Sequence, residues 1–181
     1  MEDFRKYYNL ESYLFDAVRH RFAEQGYLNA FDFFCIVIWK ANRAKSKIAR
    51  KLQNVCADLE MAVSALTYGL TRQPDAKDRL HFLCQAGFDL PMASSILTVL
   101  YPDEFTVYDQ RVCGVLGDFH KLKDITDFEK LWDGYQKFKR SVEGAAPSEL
   151  ILRDKDRYLW GKSFYDQLTN DIKRGFLEKG D

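Results

Sequence analysis

Between Ala86 and Ala93 the chain reads Ala-Gly-Phe-Asp-Leu-Pro-Met-Ala, a stretch that leaves the backbone little choice. Gly87 tolerates positive φ and ends a helix that arrives there. Two residues on, Asp89 is an N-cap. Pro91 then suits a first helical turn, where its missing N–H has no partner to lose. Apolar residues fall at helical spacing on both sides: Leu80, Phe82, Leu83 and Cys84 before the turn, Leu90, Ala93, Leu97 and Leu100 after it. The segment specifies helix, tight turn, helix. Tyr101-Pro102 stops the second helix. Tyr108-Asp109-Gln110-Arg111-Val112 then opens a third over Asp109 to Leu116, with Asp109 at its start and Gly117 closing it.

The rest of the chain carries the same punctuation. A helix is predicted from Leu10 to Glu24, with Leu10, Leu14, Ala17, Val18 and Phe22 on one face and Gly26 as a left-handed cap. Phe31 to Trp39 is so apolar that it must be buried on most sides. It reads as a helix, with a short buried strand as the alternative, because periodicity does not separate the two at this length. Ala44 to Cys56 and Ala57 to Leu70 read as two nearly continuous helices, and Asp75 caps the helix that leads into Gly87. Thr126-x-x-Glu129 is a capping box for a helix to about Val142, and Gly144 to Pro147 is a loop. A last helix is predicted from Arg153 to Leu177. Its Trp160, Phe164, Leu168, Ile172 and Phe176 stand four apart, a period that drifts around a helix and brings the stripe against different neighbours at its two ends. Prolines are few, β-branched runs are few, and nothing alternates as a half-exposed strand does. The fold class is all-α.

With 181 residues the chain suits a single helical domain over 1–181, or two small helical lobes around a cleft. The cysteines, Cys35, Cys56, Cys84 and Cys113, lie far apart and in apolar surroundings. They read as reduced core residues, and with scattered histidines they form no metal motif. No secretory signal opens the sequence and no run of about 18 apolar residues occurs, so no membrane contact and a cytoplasmic location are expected. There is no phosphate-binding Gly-rich loop and no nucleophile elbow. Basic and acidic residues balance at 27 each, which counts against a strong non-specific nucleic-acid binder unless the cations cluster.

They cluster once. Lys40-Ala-Asn-Arg43-Ala-Lys45-Ser-Lys47-Ile-Ala-Arg50-Lys51 holds six bases in twelve residues and no acid. It follows the most apolar helix and Trp39, so it is anchored. It is either a solvated helical face or a phosphate-gripping surface. A second charged run, Arg153-Asp154-Lys155-Asp156-Arg157, reads as an ion-pair network that anchors the last helix. The alternative is that Arg157 and Trp160 line a cleft.

The hairpin and the Asp segment together resemble the helix-hairpin-helix DNA glycosylase superfamily. Laid without gaps on that family's Pro-Gly-Val-Gly turn, Ala86-Gly87-Phe88-Asp89 takes its place, and Ala93 falls on the small residue early in the second helix. Val107-Tyr108-Asp109-Gln110-Arg111-Val112 then falls on the segment bearing the family's catalytic Asp. Ile96, Leu97, Leu100 and Leu116-Gly117 agree as well, so the resemblance covers residues 83–117. It implies a glycosylase-like helical bundle acting on double-stranded DNA. Asp109 would be the catalytic carboxylate, with DNA contacts at Gly87, Phe88, Met92, Lys40, Arg43, Lys45 and Lys47. Trp39, Tyr108, Trp160 and Arg157 are the candidates for a base pocket.

The departures are informative. Asp89 stands where the family has its second hairpin glycine, and an acid there weakens phosphate binding. Pro91 stands where bifunctional members carry a lysine, so that Schiff-base nucleophile is missing. The four-Cys iron–sulfur motif is missing too. The expected activity is monofunctional and needs no cofactor or metal, and a non-catalytic helix-hairpin-helix module that binds DNA or protein is the alternative. Asp109 also suits a plain N-cap for Gln110 to Leu116, and it can serve both roles. The sequence leaves the oligomeric state and the excised base open.

Overall fold

The computed structural model describes residues 3–176, and all regular elements among them are helical. The chain divides after Glu104 into two compact units.

The first unit opens with a 3-10 turn (Phe4–Tyr7) and a helix built of α1 (Leu10–Ser12), a π-helical stretch (Tyr13–Val18) and α2 (Arg19–Gln25). Gly26, at φ 76°, ends it in the left-handed region as predicted. α3 (Ala30–Ala41) follows and is a helix, which removes the strand alternative. After a short 3-10 turn come α4 (Lys45–Gln53), α5 (Leu59–Thr71), α6 (Ala76–Gln85) and α7 (Leu90–Leu100). α4 and α5 are not nearly continuous. Asn54 to Asp58 interrupts them, and the Asp58 carboxylate restarts the helix by accepting from the Glu60 and Met61 N–H groups at 2.8 and 3.1 Å.

The core of this unit gathers Leu14, Val18, Phe33, Ile36, Val37, Val63, Leu70, Leu80, Leu83, Ile96 and Leu97, all at 0% exposure. α7 is buried along all its residues but Pro91, its serines and threonine included. Those hydroxyls are tolerated because they donate back along the helix: Ser95 Oγ to the Pro91 carbonyl and Thr98 Oγ1 to the Ser94 carbonyl, each at 2.7 Å. One buried charge has no counterpart in the sequence reading. Asp32 is 2% exposed. It accepts from Tyr13 Oη at 2.7 Å and from Arg21 Nε and Nη2 at 2.8 and 2.7 Å, which ties the first helical run to α3. The signal was a lone acid in an otherwise apolar helix.

The second unit begins with an extended segment from Phe105 to Asp109. It continues with α8 (Gln110–Leu116), a 3-10 turn (Leu122–Asp124), α9 (Phe128–Ala145) and α10 (Leu152–Lys173). Its core is aromatic: Tyr135 lies between Phe105 and Phe138 at ring distances of 6.2 and 6.3 Å, and Tyr108 meets Phe138 edge-on at 5.3 Å. Three boundaries differ from expectation. Asp127, not Thr126, caps α9, by accepting from the Lys130 N–H at 3.0 Å. α9 runs on to Ala145, past Gly144. α10 ends at Lys173, and Leu177 lies outside the described residues. The predicted stripe is mostly uncovered: Trp160, Phe164, Leu168, Ile172 and Phe176 are all exposed, with Arg111 of α8 lying over the Trp160 ring at one end.

Candidate functional site

In the first unit, the turn between α6 and α7 forms as the sequence dictates. Ala86 is the last helical-type residue, Gly87 takes φ +83°, and Asp89 caps α7 with its carboxylate on the Met92 N–H at 3.0 Å. This geometry limits what the turn can offer an anion. Of the free N–H groups at the start of α7, Pro91 has none and that of Met92 is taken by Asp89. Phe88 and Met92 are each 5% exposed, and Phe88 packs on Phe33 at 6.2 Å. Of the three predicted hairpin contacts, only Gly87 is exposed.

The basic run lies beside that turn. Lys51 Nζ donates to the Gly87 carbonyl and sits 6.0 Å from the Phe88 ring. Arg43, Ser46, Lys47, Arg50, Lys51 and Asn54 line one open recess. Their spacing of i, i+3, i+4, i+7, i+8 and i+11 is that of a single helical face, with Arg43 in the 3-10 turn before α4 and Asn54 at its C-cap. Ile48 and Leu52 on the other side are buried. The stripe therefore keeps Arg43 and Lys47 from the predicted set and adds Arg50 and Lys51, which the helical spacing alone would have selected. Lys45 falls about 160° around the helix from Lys47. Its amine donates to Asn42 Oδ1 at 2.8 Å. Lys40 is half-buried at the end of α3 and does not line the recess. Trp39 is half-buried and packs edge-on against Phe15 at 5.9 Å.

In the second unit, Asp109 sits where an extended strand of chain turns into α8. It is half-buried, and its Oδ1 accepts from the Arg111 N–H at 2.9 Å. The three residues before it are bolted to the core one by one. Thr106 exchanges hydrogen bonds with Tyr135 Oη, N–H donating at 3.0 Å and the carbonyl accepting at 2.7 Å. The Val107 N–H donates to Asp156 Oδ2 at 3.1 Å. Tyr108 Oη donates to the Phe119 carbonyl at 2.6 Å. The approach to Asp109 is thus held rigidly, which fixes the carboxylate's origin on the backbone.

The same bonds correct one predicted role. Tyr108 is 0% exposed, and burial pushes its phenol up to about 12, so its ring belongs to the core and is closed to a base. Trp160 is half-exposed. The Arg111 guanidinium lies 5.4 Å over its ring and also donates to Gln167 Oε1 at 2.9 Å, so α8 and the middle of α10 meet there. Arg157 is exposed and paired with Asp154 at 3.1 Å.

The predicted ion pairs of the last helix are present as Arg157–Asp154 and as the buried Arg153–Asp156 at 3.0 Å. The cysteines are free thiols. Cys35 and Cys113 are buried, Cys56 and Cys84 half-buried, and burial pushes Cys35 and Cys84 up to about 11, so both stay protonated at neutral pH. Among the described residues no three His, Cys, Asp or Glu side chains group as a metal site requires. Among them, too, no helix is long and apolar enough to cross a membrane.

No protein-family model matches this chain, and no curated protein or solved structure matches it either. The resemblance of residues 83–117 to the helix-hairpin-helix glycosylases therefore rests on those residues alone.

Proposed function

We propose that this protein binds double-stranded DNA through the cationic stripe of α4 and the α6–α7 turn beside it, and that Asp109 serves to hydrolyse the N-glycosidic bond of a flipped base. The observation that carries the binding reading is the seat of Lys51 on the Gly87 carbonyl, which puts the cations and the turn side by side. Arg43, Lys47 and Arg50 on one helical face suit a run of phosphates. In the reaction, water adds at the anomeric carbon, the carbon–nitrogen bond breaks and the base leaves with a proton. Positive charge grows on the sugar, and a fixed carboxylate stabilises it. The rigid approach to Asp109 supports such a role. Pro91 in place of a lysine makes the reaction hydrolytic and leaves an abasic site.

A second reading, a non-catalytic helix-hairpin-helix module, is favoured by one observation: Asp109 already has structural work as the cap of α8. Duplexes carrying a panel of damaged and modified bases separate the two. Base release supports the first reading, and binding with no release at any base selects the second.

Binding is expected to be modest and salt-sensitive. Reversing Arg43, Lys47 and Arg50 to Glu is expected to lower duplex affinity by about 100-fold at low salt, read by fluorescence anisotropy. Lys45→Glu, on the far side of the helix, is expected to change it far less. Equal effects, or none, would remove the DNA face from α4. A separate expectation concerns Asp89. Asp89→Asn keeps a side-chain cap for α7 but removes a negative charge next to the turn. Affinity should rise about threefold, with a stability change of about 1 kcal/mol or less. An unchanged affinity would show that DNA does not approach this turn.

A further inference from the structure

Helix α10 is bound to its unit by its first two turns and its inner side. Arg153, Asp156 and Leu159 are buried, and Arg111 reaches across to Trp160 and Gln167. The outer side is different. Tyr158, Trp160, Phe164, Tyr165, Leu168 and Ile172 are each 39–69% exposed, and Trp160 and Phe164 stack with rings only 5° from parallel. On the helix Trp160, Phe164, Leu168 and Ile172 form one strip, while Tyr165 and Tyr158 fall about 100–120° around from Phe164. Half-exposed, such side chains present roughly 100 Å² each, so the strip offers about 400 Å². An apolar strip of that size is within the range of the largest patch that a soluble monomer leaves to water, and such patches are often functional.

We propose that this face joins two copies of the chain as an antiparallel pair of α10 helices crossing at Phe164. About 400 Å² of apolar surface per copy, with the polar atoms that flank it, makes a small interface, below the ~800 Å² per partner of a standard-size one and suited to a reversible pair. The pattern is symmetric about Phe164. Trp160 lies four residues before it and Leu168 four after, so a two-fold axis at Phe164 sets each Trp160 against Leu168 of the second copy. That is the self-complementary contact a closed dimer needs.

Charge selects the direction. Arg157, which pairs with Asp154 at 3.1 Å in its own helix, lies seven residues before Phe164 and Asp171 seven after, on the same side of the helix. The antiparallel pair sets Arg157 of each copy beside Asp171 of the other, while a parallel pair opposes like charges twice. The rim disfavours a lipid surface as the occupant. It mixes Asp154, Asp166 and Asp171 with Lys162 and Lys173, and Lys162 already pairs with Asp166 at 2.7 Å. A helix that lies on anionic membranes carries a basic polar face instead. This inference does not depend on DNA binding.

Sedimentation of the full chain over a range of concentrations tests it. The expected result is weak, reversible dimerisation, with a dissociation constant on the order of 100 µM or tighter. Phe164→Glu with Leu168→Glu, both at exposed positions, is expected to raise that constant by about 100-fold or more while the circular dichroism stays native. Arg157→Glu is expected to weaken the dimer by about tenfold, and Arg157→Glu with Asp171→Arg to restore it. A chain that is monomeric throughout overturns the proposal, and co-sedimentation of that monomer with anionic vesicles would give the face to lipid. A dimer indifferent to the Phe164/Leu168 change overturns the assigned surface. A charge swap that fails to restore the dimer overturns the antiparallel register.

Discussion

Replacing Asp156 by alanine is expected to destabilise the second unit by about 3–5 kcal/mol. The carboxylate is 5% exposed and holds two elements at once. Its Oδ2 pairs with Arg153 Nη1 at 3.0 Å, within the first turn of α10, and accepts from the Val107 N–H at 3.1 Å, on the extended segment that leads to Asp109. Alanine leaves the buried guanidinium without the charge it faces and the Val107 N–H without this acceptor. Both penalties arise where the two side chains are almost fully buried. Urea unfolding followed by circular dichroism measures the loss. Asp156→Asn keeps an acceptor for Val107 but not the charge, and should fall between wild type and alanine. Asp154→Ala breaks the neighbouring exposed pair with Arg157 and should cost about 1 kcal/mol or less. Equal costs at 154 and 156 would show that burial of the inner pair does not govern the anchoring of α10.

Asp109→Asn is expected to abolish base release while leaving the fold intact. Asn can still accept from the Arg111 N–H, so α8 keeps its cap and the stability change should be about 1 kcal/mol or less. It does not supply the negative charge that an oxocarbenium-like transition state draws on, and losing one such electrostatic contact slows a reaction by about 100-fold or more. Single-turnover excision on the base that the panel identifies gives the rate, and thermal unfolding gives the fold control. Wild-type product should carry an intact abasic site, and borohydride should trap no covalent adduct, because Pro91 stands in place of the lysine. Retained release in the Asn protein, or an efficient trapped adduct, would move the chemistry to other residues.

Local chemistry wrote much of this fold into the chain. Gly26, Gly87 and Gly117 end their helices at positive φ, and Asp75, Asp89 and Asp109 start theirs as side-chain caps, because these steps involve only a few neighbouring residues. Caps also explain the small errors. Thr126 and Asp127 compete for one helix start, and the sequence does not rank them; the carboxylate of Asp127 takes it. Asn54 to Asp58 reads Asn-Val-Cys-Ala-Asp, too apolar to announce a break, which depends on Asp58 folding back onto Glu60 and Met61.

What a side chain faces was decided by the tertiary structure. Tyr108 and Trp160 are both aromatics near a charged segment, yet one is core and the other half-exposed, because Phe138 of α9 and the Phe119 backbone close over Tyr108, while Arg111 covers Trp160 only in part. Asp32, a lone acid in an apolar helix, has no partner nearby in sequence, and Asp156 looks like a surface acid in a charged run. Partners 11 and 49 residues away, Arg21 and the Val107 N–H, make their burial affordable. The four-residue stripe of α10 was legible as a stripe, but its exposure was not, since periodicity records which residues share a face and not whether anything covers it. The sequence by itself determined where helices start, stop and turn, and that Asp109 opens one of them. Only the fold seated Lys51 on the Gly87 turn and bolted the approach to Asp109 onto Tyr135 and Asp156, because those contacts join residues that the chain keeps apart.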